Sequence, residues 1–424
     1  MSIAPKKVLL VGPVQSNSGY GEHARCILRS LIANITKFDI YIQPTMWGAT
    51  STNNNDTPEN KFIFDCISRT QNYKGKYDIS LQVGLPNEWK QIATTNIGFT
   101  AAVETDRCNP QWIQHSNQMD KVVVVSDHAG KSISNHNYPL QDDAGNSVGI
   151  LSLEKPYTVI GYPVKEYSDS TFSQGLDLPE ECFLSVVQAA PRKDYLTLIK
   201  TFVEEFKDTD VGLLLKMNMV KDSITDRYNL TRHLKGLLNQ MDPNNKRKCR
   251  IILLHGRLSE TDLHSLYLDE RIKAYITTTH GEGYGLPIFE AAYSGLPVVA
   301  PNWSGHLDFL RAPYTNSKSG KVKWKSLFLK TKCKIDKVGQ DAVMKDIIFP
   351  DAQWSYINED HFKKNLKTVL RANKLYRDEA IILQEHLREA YSTENINSKI
   401  MSVIFEGNNS DEQTGNNEPS VFMA

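Results

Sequence analysis

Two glutamates separated by seven residues, Glu282 and Glu290, bracket the run Gly283-Tyr284-Gly285-Leu286-Pro287-Ile288-Phe289. Ahead of them Thr277-Thr278-Thr279 reads as a strand end and His280-Gly281 as the start of a glycine-rich turn. Pro287 stands where the first turn of a helix begins, the helical position that tolerates proline best. A helix start preceded by small residues exposes unpaired backbone N–H groups, which favour a phosphate. One glutamate then lies in the turn and the other about one turn into the helix. Their carboxylates address two different parts of one ligand.

Other segments carry chemistry of the same kind. The run Cys182–Val187 leads through Gln188-Ala189-Ala190-Pro191 into Arg192-Lys193-Asp194, which places two adjacent cations at a strand end, where they can neutralise a diphosphate. Near the N-terminus Val11-Gly12-Pro13 leads to Ser18-Gly19-Tyr20-Gly21-Glu22, a glycine loop that opens a helix. Gly19, Gly21 and Ala24 also spell the G-x-G-x-x-A dinucleotide fingerprint, so an NAD-dependent oxidoreductase is a rival reading. Against it, the first glycine comes about a turn too late, Pro13 occupies the tight turn, and Asp39 begins the second strand instead of ending it. Glu104 follows the strand Ile97–Ala102 and either takes part in the chemistry or caps the helix that starts at Asn109-Pro110. Arg257 closes His255-Gly256-Arg257 after a further strand, and Trp303-Ser304-Gly305-His306-Leu307-Asp308 lines either a cleft or a core. Asp208-Thr209-Asp210 has the spacing of a metal site, yet its place between a helix and a strand favours a solvated turn, and no metal ligand set is expected. Lys246-Arg247-Lys248 reads as an exposed turn.

The elements that must hold these residues alternate along the chain. Short β-branched runs at Lys7–Val11, Asp39–Ile42, Ile79–Val83, Ile97–Ala102, Lys121–Val125 and Tyr157–Ile160 predict strands, with helices at Glu22–Ile32 and Gln111–Asn117 between them. Ala49–Asn60 and Gln141–Ser147 read as loops. A hinge is expected after Gly161-Tyr162-Pro163, and then the pattern restarts. Strands at Cys182–Val187, Val211–Met217, Arg250–His255, Ala274–Thr277 and Pro297–Ala300 alternate with helices at Tyr195–Phe206, Thr225–Met241, Glu260–Leu268 and Pro287–Ser294. Asn316–Val338 is basic and irregular, Asp360–Tyr391 is one long helical pattern, and the residues after about Glu406 form a polar tail expected to be disordered. The expected architecture is two doubly wound, Rossmann-like α/β domains facing a central cleft, over 1–165 and 166–358, with C-terminal helices over 359–405 and a tail over 406–424.

Composition narrows the function classes. The chain has 424 residues, 40% hydrophobic and 23% charged, which suits two soluble cores. Its 49 basic residues equal its 49 acidic ones, so no general attraction to nucleic acid or anionic lipid is implied. No run is long and apolar enough for a signal h-region or a membrane span. Six scattered cysteines without a C-x-x-C pair suggest reduced thiols in a cytoplasmic protein.

Glu282 and Glu290, with Gly283-Tyr284-Gly285-Leu286-Pro287 between them and Ala291-Ala292-Tyr293-Ser294-Gly295-Leu296-Pro297-Val298-Val299-Ala300 after, resemble the E-x7-E signature of retaining GT-B glycosyltransferases, family four in particular. The resemblance implies transfer of a hexose from a nucleoside-diphosphate sugar to an acceptor hydroxyl with retention, without a cofactor and without a metal in the chemistry. It implies that Glu282 contacts donor-sugar hydroxyls, Glu290 the ribose hydroxyls, and the N–H groups around Tyr284–Leu286 the diphosphate. Arg192-Lys193 is similar to the family's R-K-G segment, with Asp194 where glycine is usual. Gly19 and Gly21 match its first glycine loop, Glu104 takes the place of a residue near the anomeric centre, and Arg257 falls in the loop beside the base. The acceptor is a glycan, a lipid or another hydroxyl compound, and a nucleic-acid acceptor stays open. A sugar-nucleotide-binding protein without turnover is the other reading.

Overall fold

The computed structural model describes residues 4–48, 50–53, 55–141, 144, 146–167, 172–315 and 320–405. The first half contains β1 (Lys6–Gly12), α1 (Gly19–Ile32), β2 (Phe38–Pro44), α2 (Pro58–Asn72), β3 (Tyr77–Val83), β4 (Ala93–Thr100), α3 (Pro110–Gln118), β5 (Lys121–Val124), α4 (Asp127–Ser134), the hairpin β6 (Tyr138–Gln141) and β7 (Ser147–Leu151), and β8 (Tyr157–Val159). Six of these strands form a parallel sheet in the order β2-β1-β3-β4-β5-β8. The strand centres fall where the β-branched runs lie, because a strand buried on both faces needs a near-continuous apolar run.

The second half repeats the plan. β9 (Cys182–Gln188), α5 (Tyr195–Phe206), β10 (Gly212–Asn218), α6 (Ile224–Met241), β11 (Arg250–Leu254), α7 (Glu260–Leu268), β12 (Ile272–Ile276), α8 (Leu286–Tyr293) and β13 (Val298–Pro301) lead into the hairpin β14 (Arg311–Thr315) and β15 (Val322–Ser326). β16 (Leu329–Thr331) completes a parallel sheet ordered β11-β10-β9-β12-β13-β16, and β17 (Cys333–Lys337) pairs antiparallel with β18 (Gln353–Ile357). In both sheets the strand order reverses at the first strand, so each has a crevice at its carboxyl edge where ligands bind in open α/β folds.

Three expectations need correction. The loop expected over 49–60 ends early, because Thr57 caps α2 through its hydroxyl and Pro58 occupies the first turn. Beyond 316–319, which lie outside the described residues, the basic segment is ordered as strands β15, β16 and β17. The long C-terminal pattern is three helices, α9 (Glu359–Arg371), α10 (Asn373–Ala390) and α11 (Thr393–Phe405), broken at Ala372 and again at Tyr391-Ser392. α11 crosses back: Ile396, Ile400, Val403 and Ile404 pack with Ile27, Leu31 and Phe38 in the first domain's core. The tail after residue 405 lies outside the described residues.

A second core runs unbroken from one domain to the other. Trp112, Val124 and Ile133 on one side and Tyr275, Phe289 and Phe309 on the other join through Tyr162 and Tyr284, whose rings sit 4.9 Å apart. All six cysteines are free, five of them buried.

Candidate active site

The loops that follow β9 and β12 flank the crevice of the second sheet, and they bring the candidate residues together. Lys193 Nζ lies 2.6 Å from Glu282 Oε1 and Arg192 Nη1 3.2 Å from Glu282 Oε2. Arg192 also donates to the Gly281 carbonyl at 2.7 Å, and its Nη2 meets Glu104 Oε1 of the first domain at 3.2 Å. Two cations and two carboxylates therefore form one cluster across the domain boundary. Glu104 does not cap the following helix; Asn109 does, through its own side chain. Burial alone would push the Glu282 carboxyl up, but Lys193 and Arg192 hold it down at about 2. Burial, with Arg192 beside it, lowers the Lys193 ammonium, whereas Glu104 and Glu282 outweigh burial and raise Arg192.

Backbone geometry locks the turn in place. The Glu282 N–H donates to Ser304 Oγ at 3.0 Å, and Ser304 sits at φ 85°, an uncommon conformation for a residue with a side chain. A Cβ at Gly281 would lie 2.2 Å from the Glu104 carbonyl oxygen, and one at Gly283 would lie 2.6 Å from that of Ala101. Both glycines are thus required by backbone-to-backbone contact between the domains. Gly285 caps α8 at φ 96°, so the helix begins in the cleft lining with the Leu286 and Ile288 N–H groups outside the intrahelical ladder. The Tyr284 ring belongs to the inter-domain core against Tyr162 and Phe309, so its contribution to the cleft is backbone.

Glu290 lies farther along α8, where Tyr267 donates its hydroxyl to Oε2 at 2.9 Å. Burial raises this carboxyl to about 7 against the lowering effect of Lys165 and Tyr267. Lys165 bridges the domains at 2.8 Å from Glu22 Oε1 and 2.7 Å from Glu260 Oε1. Glu22 also pairs with Arg25 and Arg29; burial would raise it, but Lys165 and the two arginines hold it at about 2. Gly19 opens α1 opposite Leu286, and a Cβ at Gly21 would collide with the Ser16 carbonyl at 2.0 Å. Arg257 reaches over to Asn53 Oδ1 at 3.1 Å. Gly19, Glu104, Arg192, Lys193, Arg257, Glu282, Gly283, Gly285, Leu286 and Glu290 all line one cleft of about 700 Å³.

Asp39 lies at the start of β2, at the end opposite the sheet's carboxyl edge, and its carboxylate accepts from Arg69 at 2.9 Å and from the Tyr41 hydroxyl at 2.8 Å. Asp210 faces outward and pairs with Arg250. Among the described residues no three His, Cys, Asp or Glu side chains converge as a metal site, and no helix is long and apolar enough to cross a membrane. Lys165 and Tyr267 touch the site without a sequence signal, since neither stands in a glycine loop or a charge pair. Ser304 stood in a segment that sequence alone divides evenly between cleft and core.

No protein-family model matches this chain, and no curated protein does. Solved structures align along nearly its whole length. HepE from Anabaena, in complex with UDP and glucose, is 11% identical with a TM-score of 0.57, over 95% of this chain and 100% of that one. Sucrose-phosphate synthase from Thermosynechococcus elongatus is 13% identical with a TM-score of 0.61, over 95% and 98%. A glycosyltransferase from Rickettsia africae is 13% identical with a TM-score of 0.57, over 96% and 100%. At such identities the likeness defines architecture. The chain has the GT-B fold, two Rossmann-like domains around a cleft.

Proposed function

We propose that this protein is a glycosyltransferase that moves a hexose from a nucleoside-diphosphate sugar to an acceptor hydroxyl with retention of configuration. The observation that carries the reading is the four-membered cluster of Arg192, Lys193, Glu282 and Glu104 facing the N-terminus of α8. A diphosphate entering the cleft meets two half-buried cations and a helix start. Arg192 exchanges Glu104 for phosphate oxygen, which frees Glu104 beside the sugar. The bond from the anomeric carbon to the phosphate oxygen breaks with its electron pair going to the diphosphate. The acceptor oxygen forms the new bond on the same face, and its proton passes to the departing diphosphate. Glu282 orients sugar hydroxyls, Glu290 accepts from the ribose, and Arg257 lies by the base. Arg192, Lys193 and the helix N–H groups take the place of a metal, so transfer is expected to survive EDTA.

Thermal unfolding with UDP, GDP, ADP, CMP and NAD tests the donor class, with UDP first because HepE is solved with UDP. A ligand at about a hundred times its dissociation constant adds roughly 2.7 kcal/mol. One nucleoside diphosphate should stabilise the parent and lose its effect in Glu290→Ala. Stabilisation by NAD alone, or by no nucleotide, would count against a glycosyltransferase, and NMR of the product anomer checks retention.

A further inference from the structure

We propose that the first domain's wall of the cleft holds an acceptor subsite for a neutral sugar ring, with Trp47 as its platform; this rests on the glycosyltransferase reading. Trp47 lines the cleft, and its ring is stacked on Tyr20 with centroids 4.0 Å apart and planes at 27°. Tyr20 is itself fixed, because its hydroxyl bonds Thr100 Oγ1 at 2.9 Å and accepts the Ala101 N–H at 3.1 Å, at the end of the strand that leads to Glu104. The chain around Trp47 is stapled to the first glycine loop. Asn17 N–H donates to the Ser51 carbonyl at 2.9 Å, Asn53 N–H to the Gln15 carbonyl at 2.6 Å, and the Ser16 and Thr50 hydroxyls share a 2.7 Å bond. The indole is therefore held ready before any ligand arrives.

The first domain's own arginines on this wall are paired. Arg25 and Arg29 line it too, but Glu22 lies 3.1 Å from Arg25 and 2.8 Å from Arg29, and Glu59 lies 2.6 Å from Arg29. Both cations are matched by carboxylates, which leaves little for a phosphate or a nucleic-acid backbone. Asn17, Ser51 and Asn53 line the same cleft; the Asn17 amide donates to the Ser51 hydroxyl at 3.0 Å, and the Asn53 amide oxygen accepts from Arg257 of the second domain at 3.1 Å. An aromatic face beside amides and a hydroxyl, with the wall's own arginines matched by carboxylates, complements the C–H face and hydroxyl rim of a pyranose.

The test is saturation-transfer NMR on the full chain, with the stabilising nucleoside diphosphate present. The probes are lactose, maltotriose, cellotriose and, as the charged comparison, mannose 6-phosphate. At least one neutral saccharide should bind, about tenfold or more weakly in Trp47→Ala and within about threefold of the parent in Trp47→Phe. The nucleotide-induced thermal shift should be the same in all three proteins. Unchanged saccharide binding in Trp47→Ala, binding of the sugar phosphate alone, or silence from every neutral saccharide on a nucleotide-responsive protein overturns the subsite. Loss of the nucleotide shift in Trp47→Ala also overturns it, by placing the indole at the donor. If the parent responds to no nucleotide, the glycosyltransferase reading fails first and the subsite falls with it.

Discussion

Glu282 and Glu290 are the same residue type on one turn and helix, yet their surroundings drive them in opposite directions. Glu290, raised from 4.5 to about 7, costs the ligand-free fold more as it ionises. Its contribution to stability is fully present below the unfolded value and is lost as the pH rises through about 7. Glu282, lowered to about 2, contributes above the unfolded value and loses that contribution as the pH falls toward 2. Thermal unfolding of Glu290→Gln should therefore gain on the parent between pH 5 and pH 8. With a nucleoside diphosphate present the order should reverse if, as proposed, an ionised Glu290 accepts from ribose hydroxyls: affinity by calorimetry should then rise through about pH 7 in the parent. Glu290→Gln should bind more weakly and keep only the dependence that comes from the nucleotide's own phosphate. The E-x7-E spacing made both glutamates legible in the sequence. Their opposite ionisation was not, because it depends on Lys193, Arg192, Tyr267 and Lys165, which come from three other places in the chain.

The elements show where local pattern suffices and where it fails. β9, β12 and α8 were legible because strand burial on both faces and a proline in the first helical turn leave strong marks. α2 was hidden, since only Asn60, Ile63 and Cys66 of its residues are buried while Phe64 is exposed, which blurs the apolar period. α4 was hidden for another reason: its buried side is built from Ala129, Gly130 and Ser132 as much as from Ile133, which leaves almost no apolar period. Asp194, where the resembled family has glycine, adopts the left-handed conformation at φ 46°. Asp194→Val should lose about 1–2 kcal/mol in denaturant unfolding, whereas Asp194→Gly should stay within about 1 kcal/mol of the parent. Gly283→Ala is the sharper probe of the domain contact. Its new methyl group meets the Ala101 backbone, so about 1–3 kcal/mol should be lost, along with much of the nucleotide-induced shift.

For the whole molecule, two alternating α/β patterns were enough to read the two sheets, but not the way the chain ties them together. The aromatic bridge of Tyr162 and Tyr284 and the crossing of α11 are long-range contacts with no local period. Ile400 sits in the first domain's core, so Ile400→Ala should cost about 2–5 kcal/mol, measured by denaturant unfolding, although the residue lies far along the sequence from its neighbours. Ser30 on α1 bonds Asn397 on α11, so an early helix waits for one of the last described segments. During synthesis the first domain leaves the ribosome with a patch of its core uncovered and stays so until the second domain has been translated. The half that is made first is thus not the half that can be finished first, because its core is closed only by α11.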